Sequence, residues 1–268
     1  MRMFESFKQS FTAKLLLIIV IVWAILAIIF GFTDLELSKA VVDENSAWGI
    51  FGRDYGEVPG YALIAIALAT FLGSFNDNLN LQKIPAYISI IVGIFFIIFA
   101  SGKTDFYTGW SLIVPMIFYI IFTWNKDWKS YRNLAGIVSL LAIINPLTFV
   151  QIVKIFWGRV RFRDLTPGFT DYTPWFLPQG ITGNRSFPSG HTAMGWMFLP
   201  LLIMLIDRKT MDYIKISFSF LIFGWGIFVG LSRIVIGAHY ASDVLFSTGM
   251  ASVITILLYE KLYVKEEE

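Results

Sequence analysis

The two histidines of this chain both lie in short motifs whose residue types suit phosphate chemistry. His191 closes the sequence FPSGH, and His239 follows Arg233 by six residues and precedes Asp243 by four. Histidine has the unperturbed pKa nearest neutrality, so it can transfer protons, and a carboxylate behind it can prepare it for nucleophilic attack. A lone histidine is more often a satisfied buried side chain. Two histidines in the company of cations and a Ser-Gly turn favour a phosphate pocket with a nucleophile and an acid.

The Ser189-Gly190 pair stands where a long loop turns into an apolar helix. Free N–H groups and the helix dipole at such a start bind anions, and glycine allows the backbone to approach a phosphate closely. The Ser189 hydroxyl adds a donor. The alternative is an ordinary helix cap made by Ser189, with His191 incidental.

His239 and Asp243 are four residues apart, so on a helix they share one face. A carboxylate at that distance can hold one ring nitrogen protonated and leave the other free as a base or nucleophile. The alternative is a surface pair at the membrane interface. Arg233 disfavours it, because a cation beside a nucleophile is what a phosphoryl group requires.

Lys154 and Arg161, seven residues apart, supply further positive charge before these motifs. Arginine offers bidentate donors to phosphate oxygens and lysine offers a compact point charge. Arg159 and Arg163 flank Arg161, so a juxtamembrane basic cluster that contacts lipid headgroups is the alternative. Taken alone, this segment favours the basic cluster that contacts lipid headgroups.

The composition predicts an integral membrane protein, since 56% of the residues are hydrophobic and only 15% are charged. A net charge of +2 without a basic stripe does not indicate a nucleic-acid partner. The absence of cysteine excludes disulfides and thiolate metal sites. Arg2, Lys8 and Lys14 precede an apolar run that is long for a signal peptide and has no clear cleavage site, which favours an uncleaved first span.

Eight apolar segments follow one another along the chain, and each is a predicted membrane span. They cover roughly residues 15–33, 59–75, 86–100, 110–124, 134–153, 191–206, 216–232 and 240–259. A helix crosses the hydrocarbon with about 20 residues, and the third and fourth segments are shorter than that. No repeat or linker divides the chain. The sequence therefore predicts an all-α, polytopic helical bundle that forms a single domain over residues 1–268.

Eight spans would place both termini on one side of the membrane and all three motifs on the other. The terminal side would hold twelve Lys and Arg residues and the motif side nine, four of which are candidates for site chemistry. Because positive residues accumulate in cytoplasmic loops, the termini are predicted to be cytoplasmic and the motifs extracytoplasmic. Residues 162–187, rich in Pro, Gly and aromatics, fit either a lid at membrane depth or an interfacial anchor.

These elements resemble the signature of the type 2 phosphatidic acid phosphatase superfamily, integral-membrane lipid phosphatases related to vanadium haloperoxidases. That signature is Lys, six residues, Arg-Pro; then Pro-Ser-Gly-His; then Ser-Arg, five residues, His, three residues, Asp. The second and third parts are intact in this chain, and the first is present with Phe162 in place of the proline. The resemblance covers residues 154–243.

The resemblance implies a site and a mechanism. His239 would be the nucleophile that forms a phosphohistidine, oriented by Asp243, and His191 would be the acid that protonates the leaving group. The phosphoryl oxygens would be bound by Lys154, Arg161, Ser189, Gly190 and Arg233. The family needs no metal and no cofactor. Its core has six helices, so segments 86–100 and 110–124 would form an additional hairpin.

The first functional hypothesis is a lipid phosphatase that acts on a membrane lipid within the bilayer. Substrate classes are a polyprenyl diphosphate such as undecaprenyl diphosphate, phosphatidylglycerol phosphate and phosphatidate, of which the predicted external site favours the first. A phosphotransferase with the same phosphohistidine is the alternative, and sequence does not separate the two. A non-enzymatic lipid transporter or scaffold is the least supported, because the spans lack the ionisable residues that transporters carry. The sequence does not indicate an oligomeric state.

Overall fold

The fold is a bundle of helices connected at both ends by short loops and one long loop. A computed structural model describes the backbone of residues 2–264 and the side chains of residues 11–264, so the basic residues Arg2 and Lys8 of the predicted N-terminal flank lie outside the described side chains. The α-helices are α1 (Arg2–Val41), α2 (Ala47–Tyr55), α3 (Val58–Gly73), α4 (Ile84–Ile98), α5 (Lys103–Phe122), α6 (Arg132–Ala142), α7 (Val150–Trp157), α8 (Gly190–Gly195), α9 (Tyr213–Val235) and α10 (Ala241–Tyr259). Within the described residues there are no strands.

In the part of the chain that the structure describes, seven helical segments are long and apolar enough to cross a membrane by length and composition. They are Phe11–Val41, Ala47–Gly73, Leu81–Ile98, Lys103–Phe122, Lys129–Asp164, Tyr213–Val235 and Ala241–Val264. The two segments that were shortest in sequence, at 86–100 and 110–124, are both among them. The predicted all-α, multi-pass membrane bundle is confirmed.

The predicted span at 191–206 differs from the others, because it is a shorter helix of unusual conformation. It runs over Gly190–Leu205, with six residues of α-helix in α8 followed by ten residues of 3₁₀ helix. A 3₁₀ helix rises about 2.0 Å per residue against about 1.5 Å for an α-helix. The segment therefore reaches about 29 Å, close to the hydrocarbon thickness of about 30 Å. Pro200 lies inside it and cannot donate an α-helical hydrogen bond.

The apolar side chains form one main cluster and one outlying cluster. The main cluster joins α3, α6, the 3₁₀ segment, α9 and α10, with Leu141, Met197 and Ala251 fully buried. Helices α4 and α5 pack against each other and on α3, where Ala86 and Met116 are buried in the second cluster. The α4–α5 pair is thus the additional hairpin expected beside a six-helix core.

The long loop 158–189 is bound firmly to the end of the bundle that carries the motifs. The indole of Trp175 donates to the carbonyl oxygen of Ala27 in α1 at 2.8 Å, and its ring lies 4.5 Å from that of Phe246 in α10. Trp157 stacks on Phe187 with ring centroids 4.9 Å apart. These contacts favour the anchoring interpretation of this loop over a freely moving lid.

The orientation of the bundle in the membrane can be tested with single cysteines, because the chain has none of its own. Thr170 is exposed in the long loop, and Ser130 is exposed at the opposite end of the span Lys129–Asp164. In intact cells, a membrane-impermeant thiol reagent should label Thr170→Cys and spare Ser130→Cys, since the positive-inside rule places the long loop outside. Permeabilised cells, in which both variants should react, provide the control. Labelling of Ser130→Cys alone would contradict the predicted orientation.

Candidate active site

His239 and Asp243 meet at the turn that connects α9 to α10. Residue His239 lies in the turn itself, before α10 begins, and not on the helix as the spacing alone suggested. Asp243, in the first turn of α10, accepts the backbone N–H of Tyr240 at 3.0 Å and caps the helix. The same carboxylate oxygen lies 3.3 Å from Nδ1 of His239. The helix cap therefore also fixes the histidine, with Nδ1 engaged and Nε2 left for another partner.

The turn needs a glycine for this geometry. Gly237 adopts a positive φ of 65°, which only glycine adopts without strain. A Cβ atom there would also lie 3.1 Å from Cβ of Arg163, so the long loop approaches the turn closely. The backbone N–H of Arg163 donates to the Gly237 carbonyl oxygen at 3.1 Å. The turn that carries His239 is thereby held from the loop side.

The carboxylate of Asp243 is fully buried and is surrounded by donors. Arg159 donates through Nη1 at 2.6 Å, and the hydroxyl of Ser186 donates at 2.6 Å. With the backbone N–H of Tyr240 and the imidazole of His239, the carboxylate has partners on both oxygens. A buried charge satisfied in this way keeps one orientation, which is what an orienting carboxylate requires.

Arg159 belongs to this support and is not available to a phosphate. Its side chain is only 1% exposed, and besides Asp243 it donates to Asp34 at 3.0 Å and to the hydroxyl of Ser242 at 2.8 Å. Its Nε donates to the carbonyl oxygen of Thr173 at 2.8 Å. The interpretation of the segment as a headgroup-binding basic cluster is therefore wrong for Arg159.

Gly158 explains why two arginines so close in sequence have different surroundings. It ends α7 in the left-handed conformation with φ 59°, and this turns the chain abruptly after the helix. A Cβ at this position would collide with the carbonyl oxygen of Gly180. The turn directs Arg159 into the core, while Arg161, two residues later, remains partly exposed.

Asp34 completes the buried network and was missed by sequence analysis. It lies in α1, is 0% exposed, and accepts the backbone N–H of Ser242 at 3.0 Å as well as the Ser242 hydroxyl. The only signal in the sequence is an acidic residue directly after an apolar run, which more often marks a helix end at the membrane surface. Its partner Arg159 lies 125 residues away in the chain.

Burial sets the protonation state of His239. Its side chain is 3% exposed, and burial lowers the pKa of the imidazole to about 3. The Asp243 carboxylate opposes this effect, whereas Lys154 and Arg233 add to it, so both cations lie within electrostatic reach of the ring. At neutral pH the imidazole is neutral and its Nε2 carries a lone pair, the form that attacks an electrophile.

Two predicted phosphate ligands, Lys154 and Arg233, act electrostatically on this ring, and a third, Arg161, acts on both of them. Arg233 is 5% exposed, and its Nε and Nη1 are buried without a hydrogen-bond partner among the described residues. The Nε of Arg161 is likewise buried and unpaired. Lys154 interacts electrostatically with both arginines. Buried donors without acceptors are rare in folded proteins, and here they converge as an anion site would require.

Ser189 and Gly190 occupy the start of α8 as the motif predicts. Ser189 caps the helix: its hydroxyl oxygen accepts the N–H of Thr192 at 3.3 Å and the Thr192 hydroxyl at 2.9 Å. The ordinary capping interpretation thus describes Ser189, and its own hydroxyl proton is left to donate. A Cβ at Gly190 would lie 3.3 Å from Nζ of Lys154, so glycine allows the ammonium to approach this backbone.

His191 lies at the edge of the site and has partners of its own. Its Nδ1 is 2.9 Å from Oε1 of Glu57, and its Nε2 is 3.1 Å from the carbonyl oxygen of Arg53. Glu57 interacts electrostatically with Arg233 and Lys154, which links His191 to the cations. Glu57 could not be predicted as part of the site, because no sequence motif includes it.

The buried network around Asp34 yields a stability prediction. Asp34→Asn keeps the shape of the side chain, but its amide NH₂ group would face the donors of Arg159 or Ser242, and each buried donor left without its acceptor costs about 1–3 kcal/mol. In detergent, we expect the melting temperature to fall by roughly 10 °C. The control is Glu36→Gln, which removes an exposed acid of the same helix and its surface pair with Lys39, and which should lower the melting temperature by less than about 3 °C. Equal shifts in the two variants would contradict the assigned importance of Asp34.

Comparisons with known proteins agree with these motifs. The model of the PAP2 superfamily matches residues 134–266. A lipid A 1-phosphatase of Rhizobium etli is 29% identical over 143 residues, which cover 51% of this chain and 56% of that protein. A phosphatidylglycerophosphatase B of Bacillus subtilis is 27% identical over 153 residues, or 52% of this chain and 64% of that protein.

A lipid A 4'-phosphatase of Francisella tularensis subsp. novicida is more distant but aligns further, at 24% identity over 202 residues, 74% of this chain and 86% of that protein. The chain spans between about half and two thirds of the length of the first relatives it matches. No solved structure matches it significantly. The resemblance predicted from the three motifs is confirmed, because residues 134–266 match the PAP2 superfamily and the relatives are lipid phosphatases by name.

Proposed function

We propose that this membrane protein is a lipid phosphatase that works through a phosphohistidine on His239. The observation that carries the proposal is the neutral, buried imidazole of His239, held at Nδ1 by Asp243 and within electrostatic reach of Arg233 and Lys154. The unpaired N–H groups of Arg233 can donate hydrogen bonds to the phosphoryl oxygens, which have lost their water in a buried site. The family and the phosphatase names of the relatives support this reading.

The first chemical step transfers the phosphoryl group to the protein. Nε2 of His239 attacks phosphorus, and the bond from phosphorus to the leaving oxygen breaks. Arg233, Arg161 and Lys154 bind the equatorial oxygens, whose charge is spread in the transition state. His191 gives its Nε2 proton to the leaving oxygen, which departs as an alcohol or as a lipid phosphate.

The second step restores the enzyme. Water attacks phosphorus, the bond from phosphorus to Nε2 of His239 breaks, and His191 takes a proton from the attacking water. The products are inorganic phosphate and the unmodified imidazole, so one water molecule is consumed for each phosphate released. The same His191 thus acts as acid and then as base.

The proposed substrate is a lipid that carries a phosphate or diphosphate, bound at the outer face of the membrane. The helices supply an apolar surface for its chains, and the names of the relatives include lipid A and phosphatidylglycerophosphate. An extracytoplasmic site favours a polyprenyl diphosphate such as undecaprenyl diphosphate. The substrate class can be identified by measuring phosphate release by the purified protein from undecaprenyl diphosphate, phosphatidylglycerophosphate, lipid A and phosphatidate.

The nucleophile can be tested by trapping the intermediate. After brief incubation with a ³²P-labelled lipid phosphate and an alkaline detergent quench, wild-type protein should retain acid-labile label. His239→Ala should retain none, and its kcat should fall by about 10⁴-fold or more, because a nucleophile cannot be replaced by positioning alone. The control is Asn184→Ala, which shortens an exposed side chain in the long loop and should label normally. Normal labelling of folded His239→Ala would show that another residue is the nucleophile.

Independence from metal is a second consequence of the proposal. Because Lys154, Arg161 and Arg233 would stabilise the phosphoryl charge, phosphate release should continue at an unchanged rate in excess EDTA. The comparison is the same preparation assayed with added Mg²⁺. Complete loss of activity in EDTA, restored by Mg²⁺, would show that a metal ion takes part.

A further inference from the structure

The imidazole of His191 has an acceptor at each of its nitrogens. The Glu57 carboxylate lies 2.9 Å from Nδ1, and the carbonyl oxygen of Arg53 lies 3.1 Å from Nε2. Both acceptors come from the junction of α2 and α3, outside the matched family region and outside every sequence motif. Only a doubly protonated ring can donate from both nitrogens, so two acceptors match the form of the ring that can act as an acid.

The backbones of α3 and α8 fix the distance between Glu57 and His191. Gly60 lies one turn after Glu57, and Met194 lies one turn after His191. A Cβ atom at Gly60 would lie 2.8 Å from the Met194 carbonyl oxygen, closer than real side chains approach. The two helices therefore touch through backbone, and the carboxylate and the ring, one turn earlier on each helix, are brought together by this contact.

Glu57 itself is held in place and is mostly shielded from solvent. Its side chain is 17% exposed, and its second oxygen accepts the hydroxyl of Tyr61 at 3.3 Å. The charged groups that act on it include His191 on α8 and Arg233 on α9, and Lys154 on α7 also interacts with it. It is thus the acid that faces both the histidine and the phosphate-binding cations.

We propose that Glu57 is the positioning residue of His191, holding Nδ1–H so that Nε2 carries the proton to the leaving oxygen. This inference rests on the proposed function, in which His191 is the acid. The Arg53 carbonyl oxygen holds the Nε2 proton until the leaving oxygen takes it. When the bond from phosphorus to that oxygen breaks, the proton moves to oxygen, the ring becomes neutral, and Glu57 keeps its charge. In the second step the ring regains a proton from the attacking water.

Leaving-group dependence separates this positioning from a structural contribution. Two substrates with the same alkyl chain are compared in mixed micelles: an alkyl phosphate, whose alkoxide needs a proton to leave, and a 4-alkyl-2-nitrophenyl phosphate, whose phenolate leaves without one. The value of kcat/KM is measured, because it reports the steps up to cleavage of the phosphate ester. Glu57→Gln should lower kcat/KM by about 10- to 100-fold for the alkyl phosphate and by less than about threefold for the nitrophenyl ester.

Further variants make the test decisive. Glu57→Asp keeps the charge and should recover part of the loss on the alkyl phosphate. Glu44→Gln, an exposed acid just before α2, is the matched control and should behave as wild type. Retained activity on the nitrophenyl ester shows that Glu57→Gln is folded.

Equal losses on the two substrates, or no loss on either, would overturn the proposal for Glu57. His191→Ala tests the underlying acid separately, since it should show the same selectivity to a greater extent. If His191→Ala lowered kcat/KM equally for the two substrates, the proposed role of His191 as the acid would be overturned, and the role of Glu57 with it. Wild-type protein that releases phosphate from neither ester nor from lipid phosphates would overturn the proposed function itself.

Discussion

The buried cluster of Arg159 between Asp243 and Asp34 is the interaction on which the site depends. Removing these three charges from water costs several kcal/mol per ion unless hydrogen bonds satisfy them. Here the guanidinium reaches both carboxylates and a hydroxyl, and both carboxylates accept further donors. The cluster joins α1, the start of the long loop and the start of α10, so it fixes the carboxylate that holds His239.

Arg233, a second buried arginine of this end of the bundle, has unsatisfied donors where those of Arg159 are satisfied. It is also buried, but two of its donor atoms have no acceptor in the part of the protein that the structure describes. A satisfied arginine stabilises the fold, whereas an unsatisfied one favours binding of an anion that supplies the missing acceptors. The neutral imidazole of His239 lies within electrostatic reach of Arg233. At this end of the bundle, Arg159 therefore stabilises the fold, and Arg233 is proposed to bind the phosphoryl group.

The sequence predicted the class of fold and the grouping of the motifs, because apolar length and fixed spacing report on helices and their ends. It did not predict that Gly190–Leu205 would be mostly 3₁₀ helix, since apolar composition does not distinguish the two helical forms. Spacing alone could not separate Arg159 from Arg161, because the left-handed turn at Gly158 decides which one points inward.

The acids Asp34 and Glu57 escaped prediction for a related reason. Each is a single acidic residue near the end of an apolar helix, where sequence patterns expect a solvated charge. Their partners lie 125 and 134 residues away, and only tertiary packing brings them together. The motifs therefore identified the groups proposed to touch the phosphate and also Asp243, whereas Asp34 and Glu57 became visible only in the fold.

An experimental structure with bound orthovanadate would show whether Nε2 of His239 faces a phosphoryl group that is bound by cations. Vanadate adopts the trigonal-bipyramidal geometry of phosphoryl transfer. We expect vanadium to be bonded to Nε2 of His239, with its equatorial oxygens bound by Arg233, Arg161 and Lys154 and its apical oxygen directed towards His191. Vanadate bound elsewhere, or at this site without contact to His239, would contradict this expectation.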